Sequence, residues 1–380
     1  MNSIVKELKD IKGYKFTFEG EKHLATAVIV PYREDTWRKN ALPAMKEYLE
    51  VIKAIAKFER VVVIIDPRID YKTVASFQVE NTHILRLRYD DAWARDTLPV
   101  FLVNEENKTL CGVDFGFNAW GGDYDGLYSP YDDDNRLGKE FMLEMMIHRY
   151  SDKDFILEGG SIHTDGEGTL LVTEECLLSK GRNPSMSKAE IEERLKKDLN
   201  IEKVLWLPYG IYNDETDGHV DNIACFLKSG VVALATTEDE TDEQYNRSKA
   251  DLEYLESVTD AKGRKLEIVK LPLPKPMYLS KEEAEEINNS GTAIERAEGR
   301  RLAASYVNFY MGEKFIILPK FDVEEDETAY KILNEFYKGE KEIIQVYSKE
   351  ILLGGGNIHC ITKQIPYMTG YPFRPEDEDK

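Results

Sequence analysis

Near the C-terminus the chain runs Leu353-Gly354-Gly355-Gly356-Asn357-Ile358-His359-Cys360. Three successive glycines carry no Cβ, so this turn can take up φ > 0 and admit a flat ligand to van der Waals distance of the backbone. A thiol at the end of such a turn, ahead of a strand-like run, is suited to nucleophilic attack once it is held as thiolate. A lone cysteine is more often a small buried hydrophobe. The balance shifts because the same phrase occurs earlier as Leu157-Glu158-Gly159-Gly160-Ser161-Ile162-His163-Thr164, with Thr164 in the place of Cys360 and Glu158 in that of Gly354. An internal echo of this kind points to a repeated structural unit with different chemistry on each copy.

Other polar turns carry Asp96, Glu215, His219 and Asp221. Singly these are ordinary, since an acid in a turn usually caps or is solvated, and His219 in Gly218-His219-Val220-Asp221 reads equally well as a structural histidine. If the turns converge, Asp96, Glu158, Glu215, His219 and Asp221 surround Cys360. Carboxylates around a thiol raise its pKa and offer no oxyanion site to a neutral carbonyl, which argues against an amide hydrolase. They suit a planar cation. A guanidinium can be gripped bidentately by two or three carboxylates while its carbon stays open to sulfur, and its charge lowers the thiol pKa. His219 would then move protons, first to departing ammonia and afterwards from the attacking water.

The elements that must bring these turns together repeat along the chain. Strand-like Thr26 to Pro31 is followed by helical spacing over Trp37 to Phe58 and a strand at Val61 to Ile65. Strands at Ile84 to Arg88 and Val100 to Val103 lead to a helix over Asn135 to Tyr150 and to strand-like Phe155-Ile156-Leu157. A third helix, Ser187 to Leu199, opens on a Ser187/Glu190 capping box and precedes a strand at Lys203 to Leu207. Strands across Ile223 to Leu227 and Gly230 to Ala235 precede a fourth helix over Asp242 to Val258 and a strand at Leu266 to Lys270. A fifth helix, Asp326 to Tyr337, follows a strand at Ala304 to Tyr310 and precedes one at Ile343 to Tyr347. Five such α/β units cannot bury their apolar faces singly, and a ring of ββαβ-like units leaves few exposed edges. Pro272 to Arg301 breaks the rhythm, and a loop of that length reads as a lid. One catalytic domain over residues 1–380 is expected, with a solvated acidic tail at 374–380.

Composition narrows the partners. With 71 acidic and 50 basic side chains the net charge is −21, which argues against nucleic acid or anionic membrane and weakly favours a cationic ligand. No apolar run reaches the ~18 residues of a membrane span, so a soluble, cytoplasmic protein is expected. Cys111, Cys176 and Cys225 sit in apolar surroundings and read as packing residues; four cysteines without C-x-x-C fit a reducing compartment. The six histidines show no H-x-x-x-H or H-E-x-x-H, so no metal site is expected. Oligomeric state stays open, a homo-oligomer included.

Taken together, Asp91-Ala92-Trp93-Ala94-Arg95-Asp96, Phe117-Asn118-Ala119-Trp120-Gly121-Gly122, Leu157 to Ser161, Gly181-Arg182-Asn183-Pro184, Glu215 to Asp221 and Gly354 to Thr362 closely resemble the agmatine deiminases, from about Trp37 to Gln364. The resemblance implies the fold of the guanidine-modifying enzymes, a pseudo-symmetric five-bladed α/β propeller, in agreement with the five units above. It implies hydrolysis of agmatine to N-carbamoylputrescine and ammonia through a covalent amidino-cysteine, with no metal or organic cofactor. Cys360 would be the nucleophile, His219 the acid and base, Asp96 and Asp221 the guanidinium clamps, and Glu158 a further partner at that end. Glu215 would meet the distal amine, with Trp93, Gly354 and Gly355 also at the substrate. The chain departs from the family in having Leu98 rather than Gly before Pro99, no tryptophan in Ala27 to Val30, and no Pro-Gly-Glu-like phrase near residue 15; these should touch pocket shape more than chemistry. Rival readings are a deiminase of arginine or peptidyl arginine, of which arginine would need a cation such as Arg95 or Arg182 for its α-carboxylate, and a non-catalytic propeller binding a polyamine or a protein.

Overall fold

In the computed structural model, which describes residues 5–371, five stretches of continuous β-branched and apolar sequence form central strands that are covered on both faces. They are His23–Ile29, Thr109–Gly116, Thr169–Thr173, Val231–Thr236 and Phe315–Lys320. Each is the middle of its own sheet or one of two inner strands, and five sheets account for the named strands among the described residues. The acidic tail expected at 374–380 lies outside the described residues.

The sheets share one plan. An antiparallel neighbour precedes the central strand, a long helix follows it, and the chain returns as a parallel neighbour. In the second unit the neighbours are Val100–Asn104 and His148–Ile156, in the third His163–Thr164 and Lys203–Leu207, in the fourth Ala224–Lys228 and Glu267–Pro272, and in the fifth Tyr310–Met311 and Glu342–Tyr347. The first unit is built from both ends of the chain: Thr362–Pro366 pairs antiparallel with His23–Ile29, which pairs parallel with Val61–Ile64 and through it with Thr82–Leu85.

The five crossover helices are α1 (Leu42–Ala56), α2 (Asp132–Glu144), α3 (Lys188–Leu199), α4 (Glu243–Ser257) and α5 (Glu325–Tyr337). They are amphipathic; α1 buries Ala44, Tyr48, Val51, Ile52 and Ile55, one stripe at helical spacing. The capping box at the start of α3 is present, with Ser187 N–H donating to Glu190 Oε2 at 2.7 Å, and the helix ends on Asn200 in the left-handed conformation. Among the described residues no helix is long and apolar enough to cross a membrane.

Three local expectations are corrected. The helix expected over Asn135 to Tyr150 stops at Glu144, because Met146 adopts a left-handed conformation and the chain re-emerges as the strand His148–Ile156. The strand expected over Ala304 to Tyr310 is only Tyr310–Met311, and the residues before it form a turn. A short helix at Tyr71–Ser76, capped by the Asp70 carboxylate, has no counterpart in the sequence reading.

The segment 272–301 is tied down at several points. Asp35 Oδ2 accepts from the N–H groups of Thr292 (2.8 Å) and Ala293 (3.1 Å), Ile294 N–H donates to Leu127 O at 2.8 Å, and Asn288 N–H to Glu34 O at 3.0 Å.

Replacing Ser187 with Ala removes one of the acceptors for the free N–H groups at the start of α3, and a loss of about 1 kcal/mol in stability is expected. A urea midpoint lowered at unchanged slope is the check.

Candidate active site

Each sheet is entered through a short turn just ahead of its first strand, and these five turns carry the polar cluster. Asp96 lies in the turn Ala94–Thr97 ahead of Val100, and Glu158 and Gly160 lie at the turn Gly159–Ser161 ahead of His163. His219 and Asp221 lie at Val220–Ile223 ahead of Ala224, Asn308 stands ahead of Tyr310, and Cys360 ahead of Thr362. The fourth lead-in turn, that of the fifth sheet, is the one the sequence reading missed, because Val307-Asn308-Phe309 passes for strand. Its signal was positional: a single polar residue at the place where the other units carry Asp or Cys.

The turns meet at Gly160. Its N–H donates to Asp96 Oδ1 at 2.8 Å, and a Cβ there would stand 2.5 Å from His219 Nδ1, 2.9 Å from Asp221 Oδ2 and 3.0 Å from Asp96 Oδ1. Only a residue without a side chain lets three ionisable groups close around one point. Asn308 joins the remaining two turns. Its Nδ2 donates to Cys360 Sγ at 3.2 Å and to Asn222 Oδ1 at 2.9 Å, while its Oδ1 accepts from His359 N–H at 3.0 Å. Cys360 Sγ is 3.8 Å from Asp221 Oδ2. Asp96, Glu158, His219, Asp221 and Cys360, expected together from the sequence, are together, and all five are buried.

Their charges are set by environment. Burial pushes the Cys360 thiol well above its ordinary value and the Asp221 and Asp96 carboxylates push it further, against the Asn357 backbone and the Asn308 amide. Burial also raises Asp96, opposed by His219, although Trp120 Nε1–H donates to its Oδ2 at 2.9 Å. Burial would raise Glu158 too, but the Arg182 guanidinium, with Nε 2.9 Å from Oε1, and His219 together outweigh it and bring the carboxyl down to about 2. Burial would raise Asp221 as well; His359, with Nδ1 2.7 Å away, more than offsets this and lowers it. His359 Nε2 is in turn 2.9 Å from Glu19, which pairs with Arg95 Nη1 at 3.1 Å. Burial disfavours charge on His219, yet Asp96, Cys176 and Glu158 together hold its pKa well above the ordinary value; Nε2 is 3.6 Å from Glu158 Oε2.

The cluster opens into a pocket whose walls include Trp93, Trp120, Leu127 and Tyr128, with Cys360, Asp96, Glu215 and Gly354 to Gly356. Trp93 is fixed by stacking on Trp37 at 5.2 Å and by donating to Asp91 Oδ2 at 3.1 Å. Gly355 has φ +110°, and a Cβ on it would fall 2.5 Å from Glu215 Oε2. The floor therefore suits an alkyl chain, one end suits a cation beside sulfur, and the other carries Glu215.

Four expectations change here. Glu215 lines the cavity but is not free: Arg296 of the 272–301 segment grips it, with Nη2 to Oε2 at 2.5 Å, and Arg300 Nη2 lies 3.2 Å from Oε1. Arg95 and Arg182, the cations considered for a ligand carboxylate, do not line this cavity and are occupied by Glu19 and Glu158. Cys176 is more than packing, since its sulfur lies within 4.8 Å of ligand atoms of Glu158 and His219. Leu98 is buried behind Asp96 and is not among the residues lining the cavity, so it does not shape it. Two sets of residues have metal-like proximity, Glu158 with Cys176 and His219, and Glu19 with His163 and His359. Both are already engaged: Arg182 holds Glu158, His359 spends both nitrogens on Asp221 and Glu19, and His163 Nδ1 accepts from Phe226 N–H at 3.2 Å, leaving the proton on Nε2.

The family model of the Porphyromonas-type peptidyl-arginine deiminases matches residues 15–366. The chain belongs to this family. Within it, the chain is 47% identical to a protein named putative agmatine deiminase 1 from Listeria monocytogenes, over 93% of this chain and 96% of that one. It is 45% identical to an agmatine deiminase of Pseudomonas aeruginosa, over 93% and 96%. Among solved structures it is similar to the agmatine deiminase of Enterococcus faecalis, with a TM-score of 0.91 at 37% identity over 95% of this chain and 99% of that one.

The Glu158 shift has a definite pH signature. Its folded pKa, about 2, lies below the ordinary 4.5, so its stabilisation is complete above pH 4.5 and is lost as pH falls toward 2. At most roughly 3 kcal/mol is involved. Glu158→Gln should be destabilised at pH 7, where Arg182 keeps Asp217 but loses the carboxylate at its Nε, and the gap to the unsubstituted protein should narrow between pH 4.5 and 2. Urea unfolding across that range is the measurement; a constant gap would place the stabilisation elsewhere.

Proposed function

We propose that this protein is an agmatine deiminase that hydrolyses agmatine to N-carbamoylputrescine and ammonia, with its five sheets arranged as the blades of a single propeller domain. One observation carries the reading: a buried thiol whose pKa is raised stands beside Asp96 and Asp221, and a cationic substrate bound between them offsets the charge that keeps the thiol protonated. The guanidinium of the substrate binds between Asp96 and Asp221, and its charge makes the Cys360 thiolate accessible where the free enzyme holds the thiol.

Sulfur adds to the guanidinium carbon, and the tetrahedral adduct expels ammonia after His219 gives its proton to the departing nitrogen. This leaves an amidino-cysteine. Water then attacks the same carbon, His219 takes its proton, and the C–S bond breaks to release the ureido product and regenerate sulfur. His219 is fitted to both steps because its neighbours Asp96 and Glu158 favour the protonated ring, while leaving Nδ1 at 3.9 Å from Asp96 without a tight bond. Trp93 and Trp120 enclose the methylene chain and exclude water. Four free cysteines suit a reducing cytoplasm.

The direct test offers the purified protein agmatine, arginine and peptidyl arginine and measures ureido product and ammonia. Agmatine alone should be turned over at an appreciable rate. Cys360→Ser should abolish turnover while keeping the fold, and activity above a few per cent would rule out covalent catalysis at sulfur. Asp96→Asn or Asp221→Asn should cost about 2 to 4 kcal/mol of transition-state stabilisation, roughly 30- to 1000-fold in kcat/KM. A cationic haloacetamidine should alkylate Cys360 at neutral pH far faster than iodoacetamide does, because only the former brings the charge that ionises the thiol.

A further inference from the structure

The pocket that Cys360 lines already contains a guanidinium. Arg296, 4% exposed, places Nη2 2.5 Å from Glu215 Oε2 and 2.8 Å from the carbonyl oxygen of Gly354, with Nε 3.3 Å from Glu215 Oε1. Glu215 and Gly354 both line the cavity, and so does Arg296 itself. One carboxylate and one carbonyl converging on one N–H group form a receptor for a cation. An alkylammonium would use the same two oxygens, because it too has donors and no acceptor.

The arginine reaches this place from the strap 272–301, whose backbone is held by Asp35, Glu34 and Leu127. Arg300, on the same strap, makes the second contact to Glu215. Glu215 thus pins the strap from below at two points, and the strap occupies the receptor from above.

We infer that Arg296 is an internal competitor for the distal cation of the substrate: the ligand's ammonium binds by displacing the Arg296 guanidinium from Glu215 and Gly354. This rests on the function proposed above and adds to it the residue that sets distal specificity. The exchange replaces one cation by another, so Glu215 is never left buried without a partner. A guanidine ending in a methyl group offers no cation for the exchange and would leave Glu215 with Arg300 as its remaining ion pair, and one ending in a carboxylate would meet Glu215 as a like charge. The competitor weakens each ligand that must displace it by the fraction of molecules in which Arg296 has withdrawn. Discrimination therefore comes from what the ligand must displace as well as from what it touches.

The test compares the unsubstituted enzyme with Arg296→Gln, Arg296→Lys and Glu215→Gln. Steady-state kinetics use agmatine and butylguanidine, and calorimetry uses 1,4-diaminobutane, which needs no turnover to bind. Arg296→Gln should lower KM for agmatine and tighten diaminobutane at least about 5-fold, with little gain for butylguanidine, because it removes the competitor and keeps the receptor. Arg296→Lys keeps a cation but not the two-nitrogen grip, and should tighten diaminobutane less than Arg296→Gln does. Glu215→Gln should weaken diaminobutane. A higher KM for agmatine in Arg296→Gln, or diaminobutane binding that does not tighten, would overturn the exchange and make Arg296 a fixed part of the wall. If diaminobutane tightens as expected but no guanidine is hydrolysed, the exchange stands and the deiminase reading falls.

Discussion

Carboxylates of like charge are gathered around an uncharged thiol, and the rest of the molecule is arranged to make that tolerable. Each acid has its own partner: the Arg182 guanidinium for Glu158, His359 for Asp221, the neutral N–H donors of Trp120 and Gly160 for Asp96, and Arg296 for Glu215. The partners hold the acids in place without satisfying the space between them. The cavity is therefore poised for a cation before one arrives, and the reorganisation that solution would demand has been done by folding. Such an arrangement requires that no side chain intrude at the meeting point, which is why a glycine stands at its centre.

The repeated unit supplies the convergence. A turn ahead of the first strand of each sheet presents one residue, and the five presented groups differ while the backbone plan is kept: Asp96, Gly160, Asp221, Asn308 and Cys360. Asn308 shows how the plan is used beyond acid and nucleophile. It touches sulfur, the Asn222 amide and the His359 N–H at once, so the fifth unit contributes alignment rather than charge. Behind this layer runs a further chain, from Asp221 through His359 and Glu19 to Arg95, which returns to the Cys360 carbonyl through the Arg95 N–H at 3.1 Å.

Much of this was legible in the sequence because periodicity and glycine phrases are local signals. The five long helices and two of the central strands, His23–Ile29 and Val231–Thr236, follow from apolar spacing, whereas the central strands Thr109–Gly116, Thr169–Thr173 and Phe315–Lys320 went unread; the echo of Leu157 to Thr164 in Leu353 to Cys360 marks equivalent turns in two units. The errors came where local pattern and tertiary role diverge. Asn308 is flanked by buried apolar residues and reads as strand, while its turn is imposed by contacts to residues about 50 and 85 positions away. Met146 ends α2 through backbone conformation rather than composition. The occupation of Glu215 by Arg296 joins residues 81 apart across an irregular segment, and no spacing rule reaches that far.

The first sheet joins segments far apart in the chain. His23–Ile29 pairs antiparallel with Thr362–Pro366, more than 300 residues further on, and Cys360 lies just ahead of that strand. Units two to five close their sheets on strands near one another in sequence, whereas the first waits for this distant contact and its loop-closure cost. Until residue 360 has been added to a nascent chain, the acids are present without the sulfur they surround. Reactivity therefore follows the four sheets whose strands all precede it.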